Sequence, residues 1–384
     1  MPNKECEICG GCIFRSKTEE EYRHNKIDDF KRTLGQIASA TPFYDEPIFI
    51  KDGSRRRADM AFSYIKKHLL FGFNQAETHN IVDIKKCPML TAELNKILPS
   101  LRNFLEEFCA IAITVKNKKK IEQHFIKNGS VHLLAADNGI DIVLKVDEEP
   151  CLEHRLLVAD FMNREDSVCR LSWVVKNKAP ETIVEKYSPQ LDIAGYTVDI
   201  PQEVFLQASK EAETRMIAKV VDYMGNTRGK IADLFCGLGT FTYPLAQIKE
   251  NEIISADSFA PSLQGLQKAL NRNQLQNVKV INRNLFKYPF DKDDLKGVKA
   301  LVIDPPRAGA HEQCREIAKL EDSAKPLKIV FVSCNPKTFV YDAETLISAG
   351  YTFERVTLID QFVYSKHEEL VALFTFNPKN NKGE

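Results

Sequence analysis

The sequence predicts an α/β chain, with a Rossmann-like, doubly wound parallel sheet over residues 201–384 and a β-rich region over residues 1–200 before it. Three observations predict it. From about residue 205, short apolar runs alternate with amphipathic stretches of helical period. One run, Ile329 to Val332, ends at Cys334, just before a helical run from Thr338 to Ala349. Another ends in a glycine-rich turn, Cys236-Gly237-Leu238-Gly239. Open α/β sheets bind their ligands at the carboxyl ends of such strands.

The 384 residues, 43% of them hydrophobic, suffice for two or three cores. Formal net charge is zero, yet residues 51–130 carry 15 Lys and Arg against 8 Asp and Glu. Such an excess suits phosphates, or equally a solvated face. No run approaches the roughly 18 apolar residues of a spanning helix, and the N-terminus has no apolar signal core. A soluble, cytoplasmic protein with no membrane partner is expected. Ten cysteines in such a chain point to metal binding or catalysis, not disulfides.

In chain order, Cys6, Cys9 and Cys12 form C-x2-C-x2-C, and Cys87, followed by Pro88, is the best fourth ligand. This set favours a [4Fe–4S] cluster over zinc, because zinc ribbons present two separated cysteine pairs. A structural role is expected for it. Residues 18–40 read as an amphipathic helix with Tyr22, Ile27, Phe30, Leu34 and Ile37 on one face, and the segment 18–45 is expected to pack on the C-terminal domain. Residues 48–75 read as strands around Arg55, Arg56 and Arg57. Leu90 to Ala112 reads as a helix that Pro99 splits or kinks. Lys116 to Lys120 reads as an exposed basic turn. Residues 121–200 hold strand-like runs, at 130–135, 140–145, 170–175 and 181–186, with few helix signals.

The second half reads as helix 209–222, strand 230–235, helix 242–249, strand 252–256, helix 260–273, strands 278–281 and 300–303, helix 311–319, the strand before Cys334, and closing strands 356–359 and 370–376. Gly237 and Gly239 let the backbone approach a ligand closely. Thr242 stands where a dinucleotide fingerprint needs its third glycine, and no G-K-[ST] follows, so this is no phosphate-gripping loop. Asp257 ends the second strand, where a carboxylate can bind ribose hydroxyls. An adenosine-type cofactor fits, S-adenosylmethionine better than NAD. Asp304-Pro305-Pro306-Arg307 ends the fourth strand, because proline cannot extend it. Arg307 is a candidate to hold phosphate or carbonyl, or an ordinary surface arginine. Cys334 reads as a nucleophile whose pKa a helix N-terminus lowers, or, with equal weight from its own heptapeptide, as an inert buried thiol.

Together these segments resemble the RNA uracil-C5 methyltransferases, which make 5-methyluridine. The residues that carry the resemblance are Phe205-Leu206-Gln207, Asp233 to Phe241, Asp304 to Arg307, Ser333 to Pro336 and His367 to Val371, in the family's order and over nearly the whole chain. The resemblance implies an S-adenosyl-L-methionine-dependent methyltransferase domain. It implies a covalent mechanism with Cys334 attacking uracil C6 and Glu369 removing the C5 proton, with Glu368 as the chemical rival. It implies cofactor contacts at Gln207, Phe235, Asp257, Asn284 and Asp304, and Asp304 could contact the uracil instead. Asp257 stands where the family usually has Glu, and the gap before Cys9 is shorter than usual. The cysteine set resembles the iron–sulfur cluster of the family's 23S rRNA branch. The chain shows no extra N-terminal β-barrel, so a 23S rRNA hairpin is the expected partner and a tRNA T-loop uridine the runner-up. Residues 51–67 and 116–120 are candidate RNA contacts. The readings from other classes are a non-catalytic iron–sulfur RNA-binding protein and a nucleotide-level, thymidylate-type enzyme. A monomer without obligate protein partner is expected.

Overall fold

The computed structural model describes residues 8–117, 120–176 and 178–378. The chain forms two compact units. One comprises Met1–Lys17, Lys51–Leu191 and Val363–Ser365, and the other Thr18–Ile50, Asp192–Phe362 and Lys366–Glu384. Residues 18–50 thus belong with the C-terminal unit, as does the stretch 192–200. Among the described residues no helix is long and apolar enough to cross a membrane.

The first unit is built on a seven-stranded sheet, in the order Glu181–Glu185, Val168–Val175, Gly139–Val146, Asn128–Ala136, Arg57–Ile65, His68–Asn74 and Ile81–Asp83. All its pairings are antiparallel except that of Gly139–Val146 with Val168–Val175. A parallel pair needs a crossover, commonly a helix. Here that helix is Leu152–Arg164, which buries His154, Val158, Phe161 and Met162. The sequence reading had only strands in this region. A second helix, Ala92–Ala110, runs through Pro99 as one element, so of the expected split or kink the split does not occur. Proline costs about 3 kcal/mol inside a helix. Eight buried side chains on one stripe, from Leu94 to Cys109, supply the packing that outweighs it. Arg56, expected in a basic surface, is 3% exposed, because it stands just before strand Arg57–Ile65 and continues the buried alternation of Ala58, Met60 and Phe62. Strands Ala112–Asn117 and Lys120–Phe125 form a hairpin, with Asn117 paired to Lys120, so the tip of the expected basic turn, residues 118 and 119, lies outside the described residues.

The second unit holds a nine-stranded sheet. Its order is Phe43–Tyr44, Thr352–Asp360, Glu369–Thr375, Lys328–Ser333, Ala300–Ile303, Lys230–Leu234, Glu252–Asp257 and Val278–Asn282, and Ile48–Phe49 also pairs with Thr352–Asp360. The five strands from Lys328–Ser333 to Val278–Asn282 are parallel. Glu369–Thr375 runs antiparallel between its two neighbours. The helix Glu19–Leu34 starts in a capping box between Thr18 and Glu21 and puts Phe30 and Leu34 into the core of this unit, with Ile37 beyond its end. It stops at Gly35, earlier than the expected residue 40. Lys26 also lies on its buried stripe, and its ammonium donates to the His367 carbonyl oxygen. The short strands at 43–49 are fixed by Asp45, whose carboxylate accepts hydrogen bonds from Lys219, Tyr223, Arg355 and Thr357.

Candidate functional site

The order of this sheet reverses direction at Lys230–Leu234, which has the next strand in sequence on one side and Ala300–Ile303 on the other. That reversal opens a crevice at the carboxyl edge. The candidate residues collect at this edge. Phe235 and Gly237 follow the first parallel strand, Asp257 ends the second, Asn284 follows the third, Asp304 the fourth and Cys334 the fifth. Gln361 follows Thr352–Asp360, which runs the same way, and Glu369 opens the antiparallel strand whose first residue lies at the same edge.

The glycine-rich turn has a division of labour. Phe235 is held at φ 62°, a left-handed conformation that costs a side-chain residue about 1 kcal/mol. Gly237, at φ 53°, has no atom within 4 Å of where a Cβ would stand, so the space over it is open. Gly239, at φ 91°, is packed: a Cβ there would meet Leu266 Cδ1 at 2.6 Å. Of the two glycines, Gly237 borders free space and Gly239 serves helix packing. Asp257 accepts the backbone N–H groups of Gly237 (3.0 Å) and Phe259 (2.8 Å), one on each carboxylate oxygen. Each oxygen keeps a second lone pair for a ligand hydroxyl. Asn284 uses its side-chain oxygen to accept from Phe286 N–H (3.1 Å) and Lys287 N–H (3.2 Å). That turn presents Phe286, 45% exposed, with its ring centroid 5.4 Å from that of Phe235. The open space over Gly237, the carboxylate of Asp257 and this aromatic pair suit an adenosine-type group.

Asp233 is fully buried, and burial raises it to about 7. Its Oδ2 accepts the hydroxyl of Thr242 at 2.6 Å. Thr242, at the place of the missing third glycine, is thus an internal hydrogen-bonding residue.

Val332 pairs with Val371 and Ser333 with Leu370, so Cys334, just past the end of its strand, and Glu369, the first residue of the other, both adjoin that last pair. Burial raises the Cys334 thiol to about 12, with the charges of Glu369 and Asp304 adding to it and Arg307 opposing. This corrects the expectation of a thiol activated by a helix N-terminus. Cys334 precedes Asn335, the N-cap position of helix Pro336–Ser348, and burial, with two nearby carboxyl groups adding to it, outweighs the helix end. Burial likewise raises Glu369 to about 7, against a hydrogen bond from Gln361. Asp304 is pushed well above the usual carboxyl range by burial and then by Glu369, Asp233 and Asp257. Glu368, the rival, lies in other company. Burial raises it to about 7, Lys26 opposes the rise, and Asp29 and Asp360 add to it. Arg307 is exposed, and its backbone oxygen accepts from Asn335 Nδ2 (2.9 Å) and Thr338 Oγ1 (3.3 Å), which ties the diproline loop to the Cys334 turn.

Gln207 is buried and accepts, through Oε1, a hydrogen bond from Gln361 Nε2 at 2.9 Å. The sequence reading did not single out Gln361 or Phe286. Both follow the end of a strand at the ligand edge, the position that could have marked them.

In the first unit, burial raises the Cys12 thiol to about 12, and Cys87 and Cys9 add to the rise. The thiols of two segments far apart in sequence therefore lie near one another. Cys87 is fixed by Asn95, which accepts its N–H and donates to its carbonyl oxygen, both at 2.9 Å. Cys6 lies outside the described residues. Among the described residues no three His, Cys, Asp or Glu side chains are grouped to hold a metal ion. The soft donors suit an iron–sulfur group, but their present arrangement is not that of a closed ligand set.

Comparison with known proteins adds four findings. The family model described as tRNA (Uracil-5-)-methyltransferase matches residues 184–375. The chain is 32% identical to an uncharacterized RNA methyltransferase of Zymomonas mobilis, over 96% of this chain and 87% of that one. It is 31% identical to the 23S rRNA (uracil(1939)-C(5))-methyltransferase RlmD of Yersinia enterocolitica, over 97% of this chain and 80% of that one. Among solved structures, the tRNA (uracil-54, C5)-methyltransferase of Pyrococcus abyssi, in complex with S-adenosyl-L-homocysteine, superposes with a TM-score of 0.73 at 22% identity, covering 96% of this chain and 86% of its own. That likeness is one of fold.

Proposed function

This chain belongs to the RNA uracil-C5 methyltransferase family, whose members methylate C5 of uridine in RNA with S-adenosylmethionine, and from that premise we propose which of its residues do so and on which RNA. Bound S-adenosylmethionine would supply the electrophilic methyl group, and the open space over Gly237 would leave room for it. Asp257 would accept the ribose hydroxyls, Phe235 and Phe286 would flank the adenine, and Gln207, Asn284 and Asp304 would make the remaining contacts.

C5 of uracil is a weak nucleophile. Attack of Cys334 on C6, as the thiolate formed when its proton has left, forms an S–C6 bond and moves the C5–C6 electron pair toward O4. C5 then takes the methyl group as the methyl–sulfonium bond breaks. Glu369 removes the C5 proton, and that electron pair restores C5=C6 and expels the Cys334 thiolate. The observation that carries this reading is that Cys334 and Glu369 flank the last pair of their two antiparallel strands, Ser333 with Leu370, at the ligand edge. Glu369, buried and raised to about 7, suits a base that works near neutrality.

The target base must leave its stack to reach Cys334, and structured RNA is then held by loop shape and phosphates. Exposed Lys51, Lys66 and Lys67 are proposed phosphate contacts, together with the basic sequence 116–120, whose residues 118 and 119 lie outside the described ones. We assign the target to a tRNA T-loop uridine, ahead of the 23S rRNA hairpin first expected. The description of the matching family as tRNA methyltransferases supports this. The second reading, 23S rRNA, rests on the 31% identity to the Yersinia enzyme over 97% of this chain. Cys9, Cys12 and Cys87, with Cys6, are the residues that would hold a [4Fe–4S] cluster, in a structural role.

The test is methyl transfer from labelled S-adenosylmethionine to unmodified tRNA and 23S rRNA fragments. Label recovered as 5-methyluridine in tRNA, and lost with Cys334→Ala, is the expected result. Label in rRNA alone would overturn the choice of RNA and keep the chemistry. Label in neither RNA would refute the activity.

A further inference from the structure

We propose that Gln361 is a positioning residue that joins the seat of the methyl donor to the proton-accepting carboxyl, by hydrogen bonding to Gln207 and Glu369 at once. The proposal rests on the roles given above to those two residues. A glutamine amide offers one oxygen and two N–H donors. In Gln361 all three are committed. Oε1 accepts the backbone N–H of Ala208 at 3.2 Å, and Nε2 donates to Gln207 Oε1 at 2.9 Å and to Glu369 Oε2 at 2.5 Å. The amide cannot be flipped, because the N–H of Ala208 can only donate and must meet the oxygen. The side chain is 6% exposed, so water does not readily replace these partners.

The arrangement has two consequences. A hydrogen bond to the ionised carboxyl keeps part of Glu369 available as a base inside a buried site. Gln207 and Ala208, neighbours in sequence, share the same amide, so ordering of the donor-binding segment is felt at Glu369. The other titratable and charged groups that face Glu369 are Asp304, after strand Ala300–Ile303, and Cys334, after strand Lys328–Ser333, with Arg307 beyond Cys334. On its own strand Glu368 is the neighbour, in the company of Lys26, Asp29 and Asp360. None of these supplies the N–H that Gln361 supplies.

The test uses the full chain with Gln361→Met, which keeps length and loses both donors, and Gln361→Glu, which sets a second carboxyl against Glu369. A variant with unchanged circular dichroism carries the measurement. Single-turnover methyl transfer is followed from pH 5.5 to 9, and S-adenosylhomocysteine affinity is measured by calorimetry for wild type, each variant, Gln207→Ala and the double variant. The acid limb is expected to move up by about one pH unit, because both changes disfavour the ionised carboxyl. The affinity is expected to fall at least about threefold, and Gln207→Ala and Gln361→Met to be non-additive. A uniform fall in rate with an unmoved acid limb would overturn the proposal, as would additive effects on affinity. Failure of the functional reading would show separately, as wild type without methyl transfer, and the affinity cycle would still decide the link between Gln207 and Gln361.

Discussion

Glu369 and Cys334 adjoin the same strand pair, Leu370 with Ser333, and the charge of Glu369 is the foremost influence on that thiol after burial. The two are 35 positions apart in sequence, yet neighbouring strands bring them to one edge. The chemistry proposed for the chain depends on that pairing.

Glu369→Gln should slow methyl transfer by roughly 10²–10⁴-fold, the usual worth of a general base. It should also leave a methylated protein–RNA adduct, because the C5 proton is not removed. Gel retardation under denaturing conditions reads this directly. A variant with near-normal turnover would reassign the base, with Glu368 next in line.

The same substitution has a stability signature. Glu369 is raised from 4.5 to about 7, so its contribution to stability is fully present below pH 4.5 and is lost as pH rises to about 7. Glu369→Gln should therefore stabilise the fold at pH 8 by up to roughly 3 kcal/mol, with no gain at pH 4. Denaturant unfolding at the two pH values checks this. A gain that is equal at both would contradict the assignment of burial as the cause.

Cys334, raised to about 12, should react with iodoacetamide at pH 7.5 roughly tenfold or more slowly than an ordinary thiol. Glu369→Gln removes a charge that disfavours the thiolate and should speed the reaction. Peptide mass mapping with time resolves Cys334 from the other cysteines. Rapid labelling of the resting wild type would contradict the electrostatics described.

Gly237→Ala and Gly239→Ala should separate. At Gly239 the new methyl collides with Leu266 and the backbone is left-handed, so the protein should lose about 2 kcal/mol or more of stability. At Gly237 only the backbone cost applies, about 1 kcal/mol. The methyl there enters the open space and should weaken S-adenosylhomocysteine binding more than tenfold. Thermal unfolding and calorimetry on both variants decide it.

Protein isolated without oxygen should contain about four iron and four sulfide per chain, and absorb near the blue end of the visible range. Cys12→Ser and Cys87→Ser should each lose both. Zinc in place of iron would contradict the choice of cluster.

Much of the second unit was legible because each of its strands is a short apolar run with an amphipathic helix beside it. Its edge was legible for the same reason, as a strand end fixes which residue meets the crevice. The strands at 43–49 were not distinguished, being two residues long and paired with a strand some 300 positions later. The helix Leu152–Arg164 was missed because its buried stripe is sparse and includes His154, which dilutes the apolar period. The state of Cys334 could not be read from its own heptapeptide. The local signal was a helix start, whereas the burial that raises the thiol, and the carboxyls that add to it from residues 304 and 369, come from elsewhere in the chain. Gln361 carries no motif, and its role rests on partners at 207, 208 and 369.

The most direct test of the central claim uses RNA carrying 5-fluorouridine at the target position. Fluorine at C5 cannot leave as a proton does, so the covalent species should persist. With S-adenosylmethionine present, digestion and mass spectrometry should find a methylated fluorouridine adduct on the peptide containing Cys334, and none with Cys334→Ala. An adduct on another cysteine, or methyl transfer to natural RNA that survives Cys334→Ala, would contradict the account.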